Sequence, residues 1–395
     1  MYFFSHIRSL VLSFTLVLTI LGLLGCRSDT GSDKKKDRPD TWSVQEDTLQ
    51  FQETLRVSKG EDFYFGRIAD MAVADDGRIF VSDVEGSHVK VLSPDGTLQD
   101  TVGTRGEGPG EFQHPLKLTV ARGDSLYVMD GADGRVHVFT PELAFQRVFR
   151  PESDQGFPID MMIPEGTRSN RENAFFFVYS PGARAVVQED AQMAVRIIRP
   201  GGMIDGTLFS TRPHRMTSKE LGNGGKLFLN IPFTPRPHYA LGPSEHVHYA
   251  YGDSLQVTAY GPTGQPERTV RVPFESTPPV TDNEIADALK DRTRGREQVR
   301  NEIPASKPAF TQFLVDADGR YWFGRPTTNP DSMAWWVAAP ETKRVMTDTL
   351  PSKVWLRTVR NGQAYGIAHT KRGAPAVVRY TITPTSENAQ SGSMR

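Results

Sequence analysis

Gly77-Arg78-Ile79-Phe80-Val81-Ser82-Asp83 returns, worn but recognisable, as Gly123-Asp124-Ser125-Leu126-Tyr127-Val128-Met129-Asp130. Aligning Ile79 with Leu126 brings Asp83 onto Asp130 and Val89-Lys90-Val91 onto Val136-His137-Val138, a period of about 47 residues. Within one period, short apolar runs are divided by turn signals at Asp75-Asp76-Gly77, after Asp83, and at Pro94-Asp95-Gly96. About four strands in a period of this length make one blade of a β-propeller.

Later units carry the same grammar. One holds Phe175-Phe176-Phe177-Val178 and Val195-Arg196-Ile197-Ile198, with a turn at Pro200-Gly201-Gly202. Another holds His246-Val247-His248-Tyr249 and Leu255-Gln256-Val257, with a turn at Pro262-Thr263-Gly264. A further unit runs from Phe313 through Asp316-Ala317-Asp318-Gly319 to Trp335-Trp336-Val337, and the last from Val354 to Ile382. Gly77 and Gly319 lie farther apart than four periods, and insertions near 210–236 and 280–303 take up the excess. The expected ring needs a strand to close it, and the strand-like segment from Trp42 to Leu55 is placed to pair with the last blade and remove its open edge. Gly (35), Pro (28) and 10% aromatic content suit an all-β chain.

The first two units resemble NHL-type six-bladed propellers. Ile79-Phe80-Val81-Ser82-Asp83, Val89-Lys90-Val91-Leu92-Ser93-Pro94-Asp95-Gly96, and the linker from Gly103 to Phe112 followed by Pro115 carry the resemblance. The chain is similar, more closely, to six-bladed propeller lipoproteins of Bacteroidetes-like bacteria, through the helix before the fifth blade and Pro308-Ala309-Phe310 leading into Val315-Asp316. The resemblance covers most of residues 42–382, and blades three and four depart from it. It implies a six-bladed ring of four-stranded antiparallel blades over 42–382; a helical insertion at about 281–302 and a disordered tail over 383–395 are also expected.

The N-terminus reads as an export signal. An apolar stretch from Leu10 to Gly25 follows Arg8 and is too short to span a bilayer as a helix. It ends in Leu23-Leu24-Gly25-Cys26, which resembles the bacterial lipobox. That resemblance implies a signal peptide over 1–25, diacylglycerol transfer to Cys26 and acylation, as by palmitate, of the new amino terminus. Cys26 is the single cysteine, so lipidation would leave no free thiol in an oxidising envelope. Residues 27–41 hold no apolar side chain able to join a core and read as a flexible tether with a reach of roughly 20 Å. Arg27 after the cysteine favours the outer membrane by analogy, with the domain facing periplasm or exterior. The Lys34-Lys35-Lys36 run reads as a solvated part of that tether, with contact to anionic headgroups as the alternative.

With 46 Lys+Arg against 47 Asp+Glu, a net charge of −1 gives no basic excess for nucleic acid. A capping box at Thr281-Asp282-Asn283-Glu284 starts a helix whose apolar face is Ile285, Ala288 and Leu289, weakening at Gly295 and ending before Pro304. Its charged remainder, including Arg292, Arg294, Arg296 and Glu297, should face water. The insertion reads as packing on the rim, or else as a lid or partner-docking element.

Propeller connectivity puts the inter-blade loops and the loops between second and third strands on one face, at the channel mouth. Arg105, Glu107, Glu111 and His114 on one such loop, with Glu85, His88 and Asp133, are candidate binding residues. Asp83 and Asp130 are expected to bind loop amides instead. Glycines 103, 106, 108 and 110 lack the Lys-Ser/Thr of a phosphate loop and read as positions needing positive φ. His246 and His248 share a strand face and offer half of a zinc site without a third ligand. No Gly-x-Ser-x-Gly elbow occurs, so no catalytic residue is assigned. No cofactor is indicated, although calcium or zinc would suit the alternative function, a lactonase-like, metal-dependent propeller hydrolase or lyase. The leading reading is a monomeric, membrane-anchored binding or scaffold module for a peptide, glycan or protein.

Overall fold

The computed structural model describes residues 42–121, 123–151, 157–162, 175–180, 187, 191–198, 202–222, 224–243 and 246–384. The expected signal peptide, Cys26, the tether, Pro200-Gly201 and residues 385–395 lie outside the described residues.

Strand β1 (Ser43–Val57) precedes the first blade. Blade 1 is β2 (Ile68–Val73), β3 (Ile79–Asp83), β4 (His88–Leu92) and β5 (Leu98–Val102). Two short strands, β6 (Thr104–Arg105) and β7 (Glu111–Phe112), pair in the loop to blade 2. Blade 2 is β8 (Pro115–Val120), β9 (Leu126–Asp130), β10 (Val136–Phe139) and β11 (Phe145–Phe149). Blade 3 is β12 (Phe157–Met162), β13 (Phe175–Ser180), β14 (Met193–Ile198) and β15 (Ile204–Thr211). A hairpin, β16 (Met216–Glu220) and β17 (Lys226–Asn230), intervenes. Blade 4 is β18 (Pro237–Leu241), β19 (Val247–Tyr251), β20 (Gln256–Tyr260) and β21 (Pro266–Arg271). Helices α1 (Asp282–Leu289) and α2 (Arg296–Glu302) follow. Blade 5 is β22 (Gln312–Val315), β23 (Tyr321–Pro326), β24 (Ser332–Ala339) and β25 (Arg344–Pro351); blade 6 is β26 (Trp355–Arg360), β27 (Gln363–His369) and β28 (Pro375–Pro384).

The repeat alignment holds at atomic detail. β3 and β9 occupy Ile79–Asp83 and Leu126–Asp130, and both are buried along their whole length. They read as unbroken apolar runs because a blade is covered on both faces. Ile79 and Val81 enter a core with Tyr365, Ile367 and Val377 of blade 6, while Phe80 enters one with Leu118 and Val128 of blade 2. Equivalent cores join blades 2 and 3, 3 and 4, 4 and 5, and 5 and 6. These interfaces close a six-bladed β-propeller.

Closure uses the N-terminal strand. From Leu49 to Val57, β1 runs antiparallel along β28 and supplies the outer strand of blade 6. Before that it pairs in parallel with β25, at Asp47 with Met346 and Thr48 with Thr347. This parallel segment departs from the purely antiparallel blades expected, and it fuses blades 5 and 6 into one eight-stranded sheet. A single long strand can do this because it crosses from one outer edge to the next, satisfying backbone groups on both.

The insertion also differs from one helix. The capping box forms, with the Thr281 hydroxyl accepting from Glu284 N–H and Glu284 Oε2 accepting from Thr281 N–H at 3.0 Å. The chain then leaves the helix after Leu289 and starts a second one at Gly295, whose φ of 65° breaks the helical path. Leu289 and Val299 are buried against Leu229, while Ala288, expected on the apolar face, is exposed. Arg294, Arg296 and Glu297 are exposed as expected, and Arg292 donates to Asn230 O at 3.3 Å. The two insertions meet here: Gln298 Nε2 donates to Thr217 Oγ1 at 2.8 Å and to Ser218 O at 2.7 Å.

Candidate functional site

The channel-face loops of blades 1 and 2 are held by their own side chains. The Asp83 carboxylate accepts from Gly66 N–H at 3.1 Å, Arg67 N–H at 3.0 Å and Lys90 Nζ at 2.7 Å. Burial alone would raise its pKa, but Lys90 and the two amides outweigh that and hold it below the ordinary aspartate value. His88 Nε2 lies 2.6 Å from Lys90 Nζ, and burial followed by the Lys90 charge lowers its pKa. Asp130 accepts from the amides of Gln113 at 2.6 Å, His114 at 3.0 Å and Ala132 at 2.8 Å. Both aspartates therefore bind loop amides, as the sequence led us to expect.

Arg105 is exposed and donates to Glu85 O at 3.0 Å. Glu107 accepts from Gln113 Nε2 at 2.7 Å, and its carbonyl accepts from Arg135 at 2.8 Å. Glu111 folds back onto Gly108 N–H at 2.8 Å, and Asp133 pairs with Arg135. The Glu85 side chain lies over Gly66, and His114 is exposed. These seven candidates line neither the central channel nor the cavity at its mouth, both described below. Of the loop glycines, Gly103 and Gly110 take positive φ (81° and 78°), but Gly106 and Gly108 do not. The Glu111 carboxylate lies over Gly106 and would have to swing away from a side chain there.

His246 and His248 diverge. His246 Nε2 lies 2.7 Å from Glu267 Oε2, whereas His248 is buried with its ring 5.5 Å from that of Tyr321. Burial, then the charges of His246 and Arg268, lowers the His248 pKa to about 4. Among the described residues no three His, Cys, Asp or Glu side chains converge as a metal site.

Space opens elsewhere. The inner strands β2, β8, β18, β22 and β26 enclose a channel cavity of about 890 Å³. Its polar groups tie blades together: Asp70 on β2 accepts from Leu118 N–H at 3.1 Å and pairs with Arg357 on β26. Gln312 on β22 donates to Val354 O at 3.0 Å and accepts from Leu356 N–H at 3.0 Å. A second cavity of about 430 Å³ lies at the channel mouth among the loops of blades 4, 5 and 6 and shares Arg236, His238, Thr311 and Trp355 with the channel.

Each wall of this mouth has a local cause. The loop before β18 contains Phe233 at φ 61°, a left-handed conformation that costs a bulky side chain energy and clusters at binding sites. Thr234 Oγ1 closes that turn on Ile231 O at 2.8 Å. The loop before β22 is fixed by Arg325, which lies over the Trp336 ring at 4.0 Å and donates to Ala309 O at 3.1 Å. A Cβ at Gly252 would stand 3.1 Å from Phe310 O and 3.2 Å from Arg236 N, so the two loops approach closely over this glycine and a side chain there would push them apart by a few tenths of an ångström. Helix α1 supplies Glu284, whose ion pair with buried Lys307 (2.6 Å) joins the insertion to Thr327 O through a 2.8 Å hydrogen bond. At the rim, Trp355 is 53% exposed. Arg236, Phe233 and Trp355 were not among the residues expected from the sequence; the available signal was a tryptophan opening the inner strand of the last unit.

A family model, DUF5128, described as a 6-bladed beta-propeller, matches residues 46–144. Among solved structures, a Bacteroides fragilis protein described as a putative exported protein shares 11% identity with a TM-score of 0.49, covering 88% of this chain and 98% of its own. A member of the DUF4221 family from Bacteroides vulgatus shares 9% (TM-score 0.47; 86% and 100% covered). The virginiamycin B lyase of Staphylococcus aureus, solved with quinupristin as a catalytically inactive variant, also shares 9% (TM-score 0.41; 84% and 99% covered). No curated protein matches the sequence.

Proposed function

We propose that this six-bladed propeller is an exported, lipid-anchored envelope protein that binds a partner or ligand at the mouth formed by blades 4, 5 and 6. The carrying observation is the mouth cavity itself: about 430 Å³, open to the channel, floored by fixed loops and edged by the half-exposed Trp355. A preformed, mostly apolar concavity with a few polar groups is the usual form of a binding site. The insertion supports it as a wall held by the Glu284–Lys307 pair, between the rim-packing and lid readings. Anchoring rests on the sequence alone: the export signal ending at Cys26 and the polar residues that follow. Two acyl chains or more are needed for stable attachment, which the lipoprotein pathway supplies.

Screening short peptides and oligosaccharides against the full chain in detergent tests the reading. Saturable binding should weaken about tenfold in Trp355→Ala, the usual scale for an aromatic anchor. Unchanged affinity in that variant would overturn the assignment. Stoichiometric calcium or zinc bound near the axis would favour the hydrolase or lyase alternative. Labelled palmitate should enter the wild-type chain and not Cys26→Ser; equal labelling would remove the anchor from the proposal.

A further inference from the structure

Arg236 stands out at the mouth because nothing described answers its charge. Its side chain is exposed and lines both the channel and the mouth cavity. No carboxylate among the described residues lies within ion-pair distance of it. The other cations nearby are engaged: Lys307 with Glu284, Arg357 with Asp70, and Arg360 with Asp75. His214 and His238 line the channel with it. Burial first, and Arg236 second, lowers both His214 and His238, the latter to about 4. His238 is therefore neutral at pH 7 and adds no further positive charge.

We propose, resting on the mouth as the binding site, that Arg236 receives the C-terminal carboxylate of a peptide whose last side chain is apolar. A lone planar guanidinium matches one carboxylate, with two parallel hydrogen bonds. A phosphate would call for a second free cation, and the only other cation among the described residues lining the mouth cavity, Lys307, is paired with Glu284. The remaining wall selects the neighbouring group. Phe233, Phe310, Pro330, Met333 and Trp355 present apolar surface. Several hydroxyls are already committed: Thr234 to Ile231 O, and Thr327 to Asn329 O and Ser332 O. A sugar acid would leave many of its hydroxyls unpaired there, whereas an apolar side chain would not.

Titrating the full chain with acetyl-Gly-Ala-Phe, its C-terminal amide and glucuronate tests this. The free acid should bind saturably, with the amide and the Arg236→Gln variant each weaker by about tenfold or more, as for a lost charged hydrogen bond. Arg236→Lys should fall between, keeping charge and losing the fork. Equal binding of acid and amide, stronger binding of glucuronate, or no binding of the acid would overturn the carboxylate assignment. Trp355→Ala separates the two levels. If acid and amide bind equally but both weaken in Trp355→Ala, the mouth remains the site and only Arg236's role is lost. If neither responds to Trp355→Ala, the site fails too. Matching thermal unfolding of the variants establishes that each is folded.

Discussion

Asp83, Asp130 and Tyr251 end the second strands of their blades, Arg325 stands one residue before the end of its own, and all four hold the loops that enter them. The aspartates accept from loop amides, the Tyr251 hydroxyl donates to Pro213 O at 3.0 Å, and Arg325 donates to Ala309 O. The repeat made the aspartates legible in the sequence. It hid Arg325, because a donor can fasten carbonyls as an acceptor fastens amides, and no residue-type alignment equates them. Asp83→Ala leaves buried Lys90 without its carboxylate and should cost about 3–5 kcal/mol in urea unfolding. Because the folded pKa of Asp83 lies below the unfolded one, its contribution is complete above the unfolded value and is lost as pH falls through the folded value. The histidines act in the same direction by the opposite route. His238 and His248 titrate near 4 when folded against 6.5 when free, so the unfolded chain takes up protons that the folded one refuses. Stability should therefore decline as pH falls from 6.5 towards 4, by at most about 1.4 kcal/mol per unit for each histidine. His248→Phe should flatten that slope; an unchanged slope would refute the assignment.

At the level of elements, β1 and the paired insertions depart most from a simple repeat. The need for a closing strand was legible, since a ring of repeats leaves one edge unpaired. Its parallel contact with β25 was not, because parallel pairing at Asp47 and Thr48 depends on where two distant edges come together. Removing residues 42–57 should expose the edges of β25 and β28 and make the chain self-associate on heating, seen as a lower unfolding temperature that depends on concentration. The capping box was readable from four residues, but the helix break needed the Gly295 conformation, and the meeting of the insertions needed the tertiary fold. Leu289→Ala should cost about 2–5 kcal/mol by opening the small core with Leu229 and Val299. If the cost is near zero, the insertion is not docked through that core.

For the whole molecule, six interfaces set the ring, and the ring brings loops from three blades to one mouth. Sequence reading could place loops on the correct face, because strand order alone decides it. It could not tell which of those loops leave space, because that depends on whether neighbouring side chains fill it. Around blades 1 and 2, Glu107, Glu111 and Asp133 are spent on loop bonds, while around blades 4 to 6 the insertions hold walls apart. Hydrogen–deuterium exchange of the full chain, with and without a mixture of short peptides and oligosaccharides, measures this directly. Protection is predicted over residues 233–238, 308–311 and 352–355. Protection confined to 83–88 and 103–114, or none at all, would contradict a binding site at the mouth.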